Sequence, residues 1–153
     1  MSRARPLRHA ARALGLLLSI SALCAARGQA QSPPPIVQEG ADAYRRSGAD
    51  SAVHVWTQNW SAADTAKANA LAQSLHTMED ASGSFQGVEF LRTTSLGSRL
   101  KRAYAIFWFD SHPLYAFFQV YQLRDASWKI IDVNWNTDMA KVFPPSLADP
   151  AKP

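Results

Sequence analysis

Cysteine is almost absent from this chain of 153 residues, in which Cys24 is the only one. A disulfide within the chain needs two cysteines and a thiolate zinc site needs several, so both are excluded. The sequence also lacks a His-Glu-x-x-His motif, a Gly-x-Ser-x-Gly motif and a glycine-rich phosphate-binding loop. We therefore predict no metal and no cofactor, and we expect the apolar core to hold the fold together.

Acidic residues are absent from the first thirty positions, which contain five arginines. The apolar run in this segment, Ala13 to Ala26, is shorter than the about 20 residues that a spanning helix needs. Gly28-Gln29-Ala30 places small residues where a signal peptidase reads them. Residues 1–30 are thus predicted to be a bacterial Sec-type signal peptide cleaved near Ala30, with Ala26 as the second choice. The mature protein is predicted to be periplasmic or secreted.

A basic surface is missing from the rest of the chain. The whole sequence has 16 Lys+Arg against 12 Asp+Glu, but from Gln31 onward 11 basic residues face 12 acidic ones. A dedicated nucleic-acid binder carries a basic footprint on its folded domain, so nucleic acid is excluded as a partner. We also expect no membrane contact after signal removal. The 47% hydrophobic content excludes a disordered chain.

Prolines mark both ends of the mature chain. Residues 31–35 are predicted to be a stiff, Pro-rich spacer. Residues 144–153 contain four prolines, and we predict a tail with neither a helix nor a central strand. The folded domain is then expected to cover residues 36–143.

Apolar spacing predicts helices first and strands second. Spacings of three and four indicate a helix from Ile36 to Ser47, and a second one that begins near Asp50 and buries Trp56 and Trp60. A third helix is expected between Asp64 and Gly83. The period then changes to two, and short polar turns separate four predicted strands at 88–96, 100–109, 114–123 and 128–135. This pattern predicts an α+β fold with N-terminal helices packed on a bent four-stranded antiparallel sheet.

The two middle strands are apolar on both faces. A sheet that is covered on one face alternates apolar and polar residues, and residues 104–109 and 114–118 do not. The helices cover one face, so the other has to meet the curl of the sheet, a ligand or a second copy of the protein. We predict a homodimer through this face, with Phe107 and Phe117 as outward aromatic residues.

One segment resembles a known family. Gly83-Ser84-Phe85-Gln86-Gly87-Val88-Glu89 is similar to a Gly-x-aromatic-x-Gly-x-Glu signature of small exported bacterial proteins of unknown function in the NTF2-like (cystatin-like cone) superfamily. The stretches Pro113 to Phe118 and Asn134 to Asp138 are similar to the same group. The resemblance covers about residues 38–143 and implies a cone-shaped fold without a mechanism. We expect Phe85 to plug the core between the two glycines.

Several polar residues are candidates for chemistry in such a cone. Asp132, Asn134 and Asn136 alternate with Ile131, Val133 and Trp135, so the polar three project from one face. If that face lines a cavity, Asp132 or Glu89 becomes a catalytic base, and Tyr104 or Tyr121 supplies a phenol. Asn134, Asn136 and Tyr121 are the candidates for ligand binding. In the simpler interpretation, the apolar three face the core, the polar three face water or a partner, and Glu89 is exposed or paired with Arg102.

These patterns favour a non-catalytic binding module. Its expected ligand is a small apolar or amphipathic molecule in the cone, or a protein on the sheet. The first alternative is a cofactor-independent isomerase or hydro-lyase that uses a cavity carboxylate. The second is a structural or assembly protein without a ligand cavity. A pocket in which Asp, Tyr and Asn groups converge indicates an enzyme, whereas a filled cone indicates binding or assembly.

Overall fold

The computed structural model of the protein describes residues 32–148, so the predicted signal peptide lies outside the described residues. Helix α1 (Pro35–Thr57) and helix α2 (Thr65–Ser82) are joined through a 3₁₀ turn at Ala62–Asp64. The strands β1 (Phe85–Ser95), β2 (Leu100–Phe109), β3 (Leu114–Gln122) and β4 (Trp128–Asn136) follow. They form one antiparallel sheet in the order β1-β2-β3-β4. The predicted α+β arrangement is confirmed.

Helix α1 consists of two arms that meet at Gly48. This glycine has φ 81° and ψ −175°, a conformation that side chains disfavour and that breaks the helix where the sequence predicts. The indole of Trp56 packs on the first arm and its Nε1 donates a hydrogen bond to the Val37 carbonyl at 3.2 Å. A Cβ on Gly40 would lie 1.9 Å from that nitrogen, so Gly40 makes room for the ring. Trp56 is fully buried, as predicted.

Trp60 does not share this position, and the prediction that it is a core residue is wrong. Helix α1 ends at Thr57, so Trp60 leaves the helical face that carries Trp56. Its indole Nε1 instead donates to the Ile130 carbonyl at 2.6 Å, and Asn59 donates to the Trp128 carbonyl at 2.9 Å. The two side chains cover carbonyl groups along the free edge of β4.

The space between the helices and the sheet is filled by aromatic rings. The ring centroid of Trp56 lies 5.0 Å from that of Phe118 and 6.0 Å from that of Phe107. Because Phe107 is 1% exposed and belongs to this core, its expected outward direction is wrong. In the described part of the chain, the space between the helices and the sheet is therefore a packed core. Leu75 and Ile130 are also fully buried there.

The junction between α2 and β1 depends on Gly83. Its φ is 84°, and a Cβ there would lie 2.6 Å from Oδ2 of Asp110. The Asp110 carboxylate accepts hydrogen bonds from the Ser84 backbone at 2.7 Å and from the Gln86 side chain at 2.6 Å. Phe85 then stacks on Tyr44 with centroids 4.2 Å apart and rings within 3° of parallel. The prediction that Phe85 plugs the core is confirmed.

The face of the sheet turned away from α1 and α2, here called the outer face, is covered in part by the end of the chain. Residues 139–148, here called the strap, consist of a 3₁₀ turn at Met139–Lys141 and the single helical turn α3 (Pro145–Ala148). Val142, Phe143 and Leu147 pack against apolar side chains of the outer face. The prediction of a tail without helix is wrong for this turn, because proline is tolerated at the first position of a helix.

Candidate functional site

The candidate site is the outer face, which has a regular layout. The strand register places its side chains in three rows that run from β1 to β4. The rows are Glu89-Ile106-Tyr115-Asn136, Arg92-Tyr104-Phe117-Asn134 and Thr94-Arg102-Gln119-Asp132. The centre of this face is aromatic and its margins are polar.

All six residues predicted to form a site lie on this face. Glu89, Tyr104, Asp132, Asn134 and Asn136 belong to the three rows, and Tyr121 lies opposite Lys129 just beyond them. Val133 and Trp135 point the other way and pack against the core, as the simpler interpretation of β4 expects. Ile131 differs, since the register shifts beside it and leaves it 47% exposed.

The candidate acids do not converge on one point. Glu89 lies on β1 and Asp132 on β4, so three strand spacings, or about 14 Å, separate them across the sheet. Both carboxylates are exposed, whereas Tyr104 is buried. A general acid and base that act on one substrate have to reach the same few atoms. Glu89 and Asp132 are therefore too far apart to act as a pair on one substrate, and both are exposed, whereas the isomerase or hydro-lyase alternative expects a carboxylate enclosed in a cavity.

Arg102 is held by two neighbours on β3, Gln119 in its own row and Phe117 in the next row. Its guanidinium donates a hydrogen bond to the Gln119 side chain and lies 4.6 Å above the centroid of Phe117. Glu89 is opposite Ile106, so the expected Glu89–Arg102 pair does not form. The buried Nε of Arg102 has no hydrogen-bond partner among residues 32–148.

An aromatic cradle at the centre of the outer face holds the strap. The ring of Phe143 meets Tyr115 and Tyr104 edge to face, with centroids 5.4 and 5.7 Å apart. Phe117 stands next to Tyr104 at 6.3 Å. Edge-to-face contacts of this kind add to the burial of apolar area. The only sequence signal for this contact is the apolar pair Val142-Phe143 before two prolines. Because a single pair has no periodicity, the sequence did not predict that this segment packs on the sheet.

The outer face keeps an exposed margin beside the strap. Trp108 follows the aromatic centre along β2 and is 41% exposed, while Asp132 and Asn134 are exposed on β4. Tyr121 lies under the guanidinium of Arg99 at 4.7 Å. An exposed tryptophan with polar residues around it is typical of surfaces that bind proteins.

A second polar cluster lies between α1 and α2. Nε2 of His76 lies 3.0 Å from Oδ1 of Asp50, and its Nδ1 lies 3.4 Å from the Glu79 carboxylate. The hydrogen bond to Asp50, with a smaller contribution from Glu79, raises the pKa of His76. The nearby Tyr44 hydroxyl is buried and has no hydrogen-bond partner within residues 32–148; burial, with a smaller contribution from the Glu79 carboxylate, raises the pKa of this phenol, which stays neutral. Tyr44 and Glu79 line an open cleft of about 470 Å³.

A smaller cleft lies at the end of β4. It has a volume of about 320 Å³ and is lined by Ser74, Trp135 and Asn136, among others. The Trp135 indole donates to the Ser74 hydroxyl at 2.8 Å, which ties β4 to α2. Of the predicted ligand-binding residues, Asn136 thus lines a cleft as well as the outer face, but no second predicted residue joins it there.

Comparison of the chain with protein-family models, with curated proteins and with solved structures found no match. Within residues 32–148, no three histidine, cysteine or acidic side chains are grouped as metal ligands. None of the helices in this part of the chain has the length and apolar character to cross a bilayer.

Proposed function

We propose that the protein is a non-catalytic binding module whose outer face docks a protein partner, and that this partner is a second copy of the chain. The observation that carries the proposal is the exposed ring of Trp108, which lies on the same face of the sheet as the Arg102–Phe117 stack. Large aromatic and arginine side chains contribute most to the binding energy of protein interfaces.

The packed interior favours a protein partner over a small ligand. Trp56, Phe107 and Phe118 fill the space between the helices and the sheet, where a cone-shaped relative would hold a small molecule. The separation of Glu89 from Asp132 across the sheet argues against catalysis on the outer face. Binding without chemistry is then the function that agrees best with both observations.

The charges of the outer face are suited to a copy of the same surface. One edge carries Glu89 and Arg92, and the other carries Asp132 and Lys129, so both signs occur at both edges. In a two-fold dimer each partner presents the same patch, and a surface of a single sign would repel itself. The expected interface covers the strap and the margin around Trp108. A stable pair needs to bury on the order of 1,200 Å² in total.

Sedimentation velocity of the mature chain tests this proposal. We expect the wild type to associate in the micromolar range and Trp108→Lys to weaken association at least about tenfold, because hot-spot truncations typically cost 2 kcal/mol or more. The matched control is Leu96→Lys, because Leu96 is 49% exposed but lies just beyond the end of β1, far from Trp108. A wild type that stays monomeric at every concentration contradicts the proposal. So does an equal effect of the two substitutions.

We also propose that the protein is exported and is a distant member of the NTF2-like superfamily. The arginine-rich start with its short apolar run supports export. The order of two helices and a four-stranded meander supports the family resemblance, together with Gly83 and Phe85 at the junction. N-terminal sequencing of protein from the periplasm or medium is expected to begin at Gln31 or Arg27. Recovery of intact protein from Met1 in the cytoplasm contradicts export.

A further inference from the structure

The strap is bound to the outer face by side chains alone. Its backbone hydrogen bonds stay within residues 138–148: Lys141 donates to Asp138, Val142 and Phe143 donate to Met139, and Leu147 and Ala148 donate to Pro144. No hydrogen bond joins residues 139–148 to the four strands within the described chain. The strap can therefore leave the sheet without breaking a hydrogen bond to it.

A short hinge separates the strap from β4. Strand β4 ends at Asn136, whose side chain accepts a hydrogen bond from the Asp138 backbone at 2.8 Å. The Asp138 carboxylate in turn accepts from the Ala140 backbone at 3.1 Å and caps the first turn of the strap. The bond from Asp138 to Asn136 spans Thr137, so the strap can swing away at Thr137 by breaking this one bond while its own turns stay intact. Segments held by few tertiary contacts open before the core does.

We propose that the aromatic cradle of Tyr104, Tyr115 and Phe117 is a docking site for the strap of a second copy, and that the chain's own strap competes for it. The inference rests on the proposed function, since it adds an exchange of straps to the association through the margin around Trp108. The occupant is a turn-forming segment with an aliphatic residue, a phenylalanine, two prolines and a leucine, as in Val142 to Leu147.

The second copy is the occupant that the structure favours. Its strap is identical in sequence to the segment already seated on the cradle, so an exchange restores each contact that it breaks. The edge-to-face geometry between Phe143 and the two tyrosines is then made between chains. No other segment is shown to fit this surface.

Because it is tethered, the chain's own strap inhibits the binding of a second strap to the cradle. A segment joined by a short hinge has an effective concentration in the millimolar range, whereas a second copy is present at micromolar concentration. At micromolar concentration the chain's own strap therefore occupies most cradles in the wild type, whose copies associate through the exposed margin around Trp108. Weakening its grip frees the cradle and raises the affinity for a strap supplied from outside.

The experiment uses the mature chain and a synthetic peptide of residues 138–148, titrated to about 1 mM and followed by two-dimensional NMR. We expect this peptide to shift outer-face resonances of the Phe143→Ala variant and to bind it at least about tenfold more tightly than the wild type. The same peptide carrying Phe143→Ala is the matched control, and we expect it not to bind. Leu147→Ala is a second, milder variant for which we expect the same increase in affinity for the peptide. It is used if circular dichroism shows that Phe143→Ala does not fold.

Two results overturn the inference. One is that the peptide fails to bind both folded strap variants, and the other is that it binds the wild type as tightly as the variants. This failure is separable from failure of the proposed function. Association that depends on Trp108 while the peptide does not bind leaves the docking function intact and removes only the role of the strap. Peptide binding by a chain that never associates supports the cradle and contradicts the dimer.

Discussion

Replacement of Trp56 by alanine is expected to be among the most destabilising single changes in the domain. The indole is fully buried, lies against Gly40 and touches the rings of Phe107 and Phe118. It joins three parts of the fold, the two arms of α1 and the sheet. Its removal leaves a cavity that the surrounding backbone cannot close.

The expected cost follows from burial and from one hydrogen bond. Truncation of a buried tryptophan to alanine typically costs about 3–5 kcal/mol, including the cavity. The bond from Nε1 to the Val37 carbonyl is lost as well, for about 1 kcal/mol. Domains of this size have about 5–15 kcal/mol of stability in total. Trp56→Ala therefore removes a large share of it, whereas Trp56→Phe keeps part of the packing and costs less.

Urea denaturation followed by circular dichroism measures this effect. With a denaturant dependence of about 1–3 kcal/mol per molar urea, we expect Trp56→Ala to lower the midpoint by at least about 1 M. Trp60→Ala is the matched control, because Trp60 is only half-buried and lies at the edge of β4. A midpoint for Trp56→Ala that equals the wild type, or that falls no further than the control, refutes the account of the core.

Three further predictions concern the positions around the core. Gly83→Ala is expected to cost about 1–3 kcal/mol in the same assay, because φ is positive and a Cβ collides with Asp110, whereas Gly97→Ala is expected to be near neutral; equal effects would contradict the strained junction. Tyr44→Phe is expected to keep or raise the midpoint, since it removes a buried hydroxyl that has no hydrogen-bond partner in the described part of the chain; a loss of stability above about 1 kcal/mol would contradict this prediction. His76→Gln is expected to lower the midpoint only at acidic pH. The pKa of His76 in the folded protein is raised above its ordinary value of 6.5. Protonated His76 therefore stabilises the fold fully below pH 6.5, and this stabilisation disappears as the pH rises through the folded-state pKa. A midpoint difference between wild type and His76→Gln that grows with pH would contradict this prediction.

The sequence predicted the elements of the fold because each has a simple periodic cause. Spacings of three and four gave both arms of α1 and helix α2, and Gly48 and Gly83 ended them where the chain needs a positive φ. Alternation gave four strands within three residues of their observed ends. Trp60 was misplaced because a spacing of four places two residues on one face only while the helix continues.

The site was predicted in part. Alternation along β4 placed Asp132, Asn134 and Asn136 on one face, and they do share the outer face. Alternation cannot state which of two apolar faces meets the helices, so Phe107 was assigned outward and lies in the core. The strap was missed because its contacts come from a segment without a period, and prolines were taken to end the fold.

Photo-cross-linking from the outer face shows whether Trp108 lies in an interface between two copies of the chain. A benzophenone amino acid is placed at position 108 in one mature protein and at position 96 in another, and each is irradiated at micromolar concentration. The account predicts covalent dimers from position 108 alone, attached to the outer strands or the strap of the second copy. Equal yields from both positions, or attachment of position 108 to the helices α1 and α2, would contradict it.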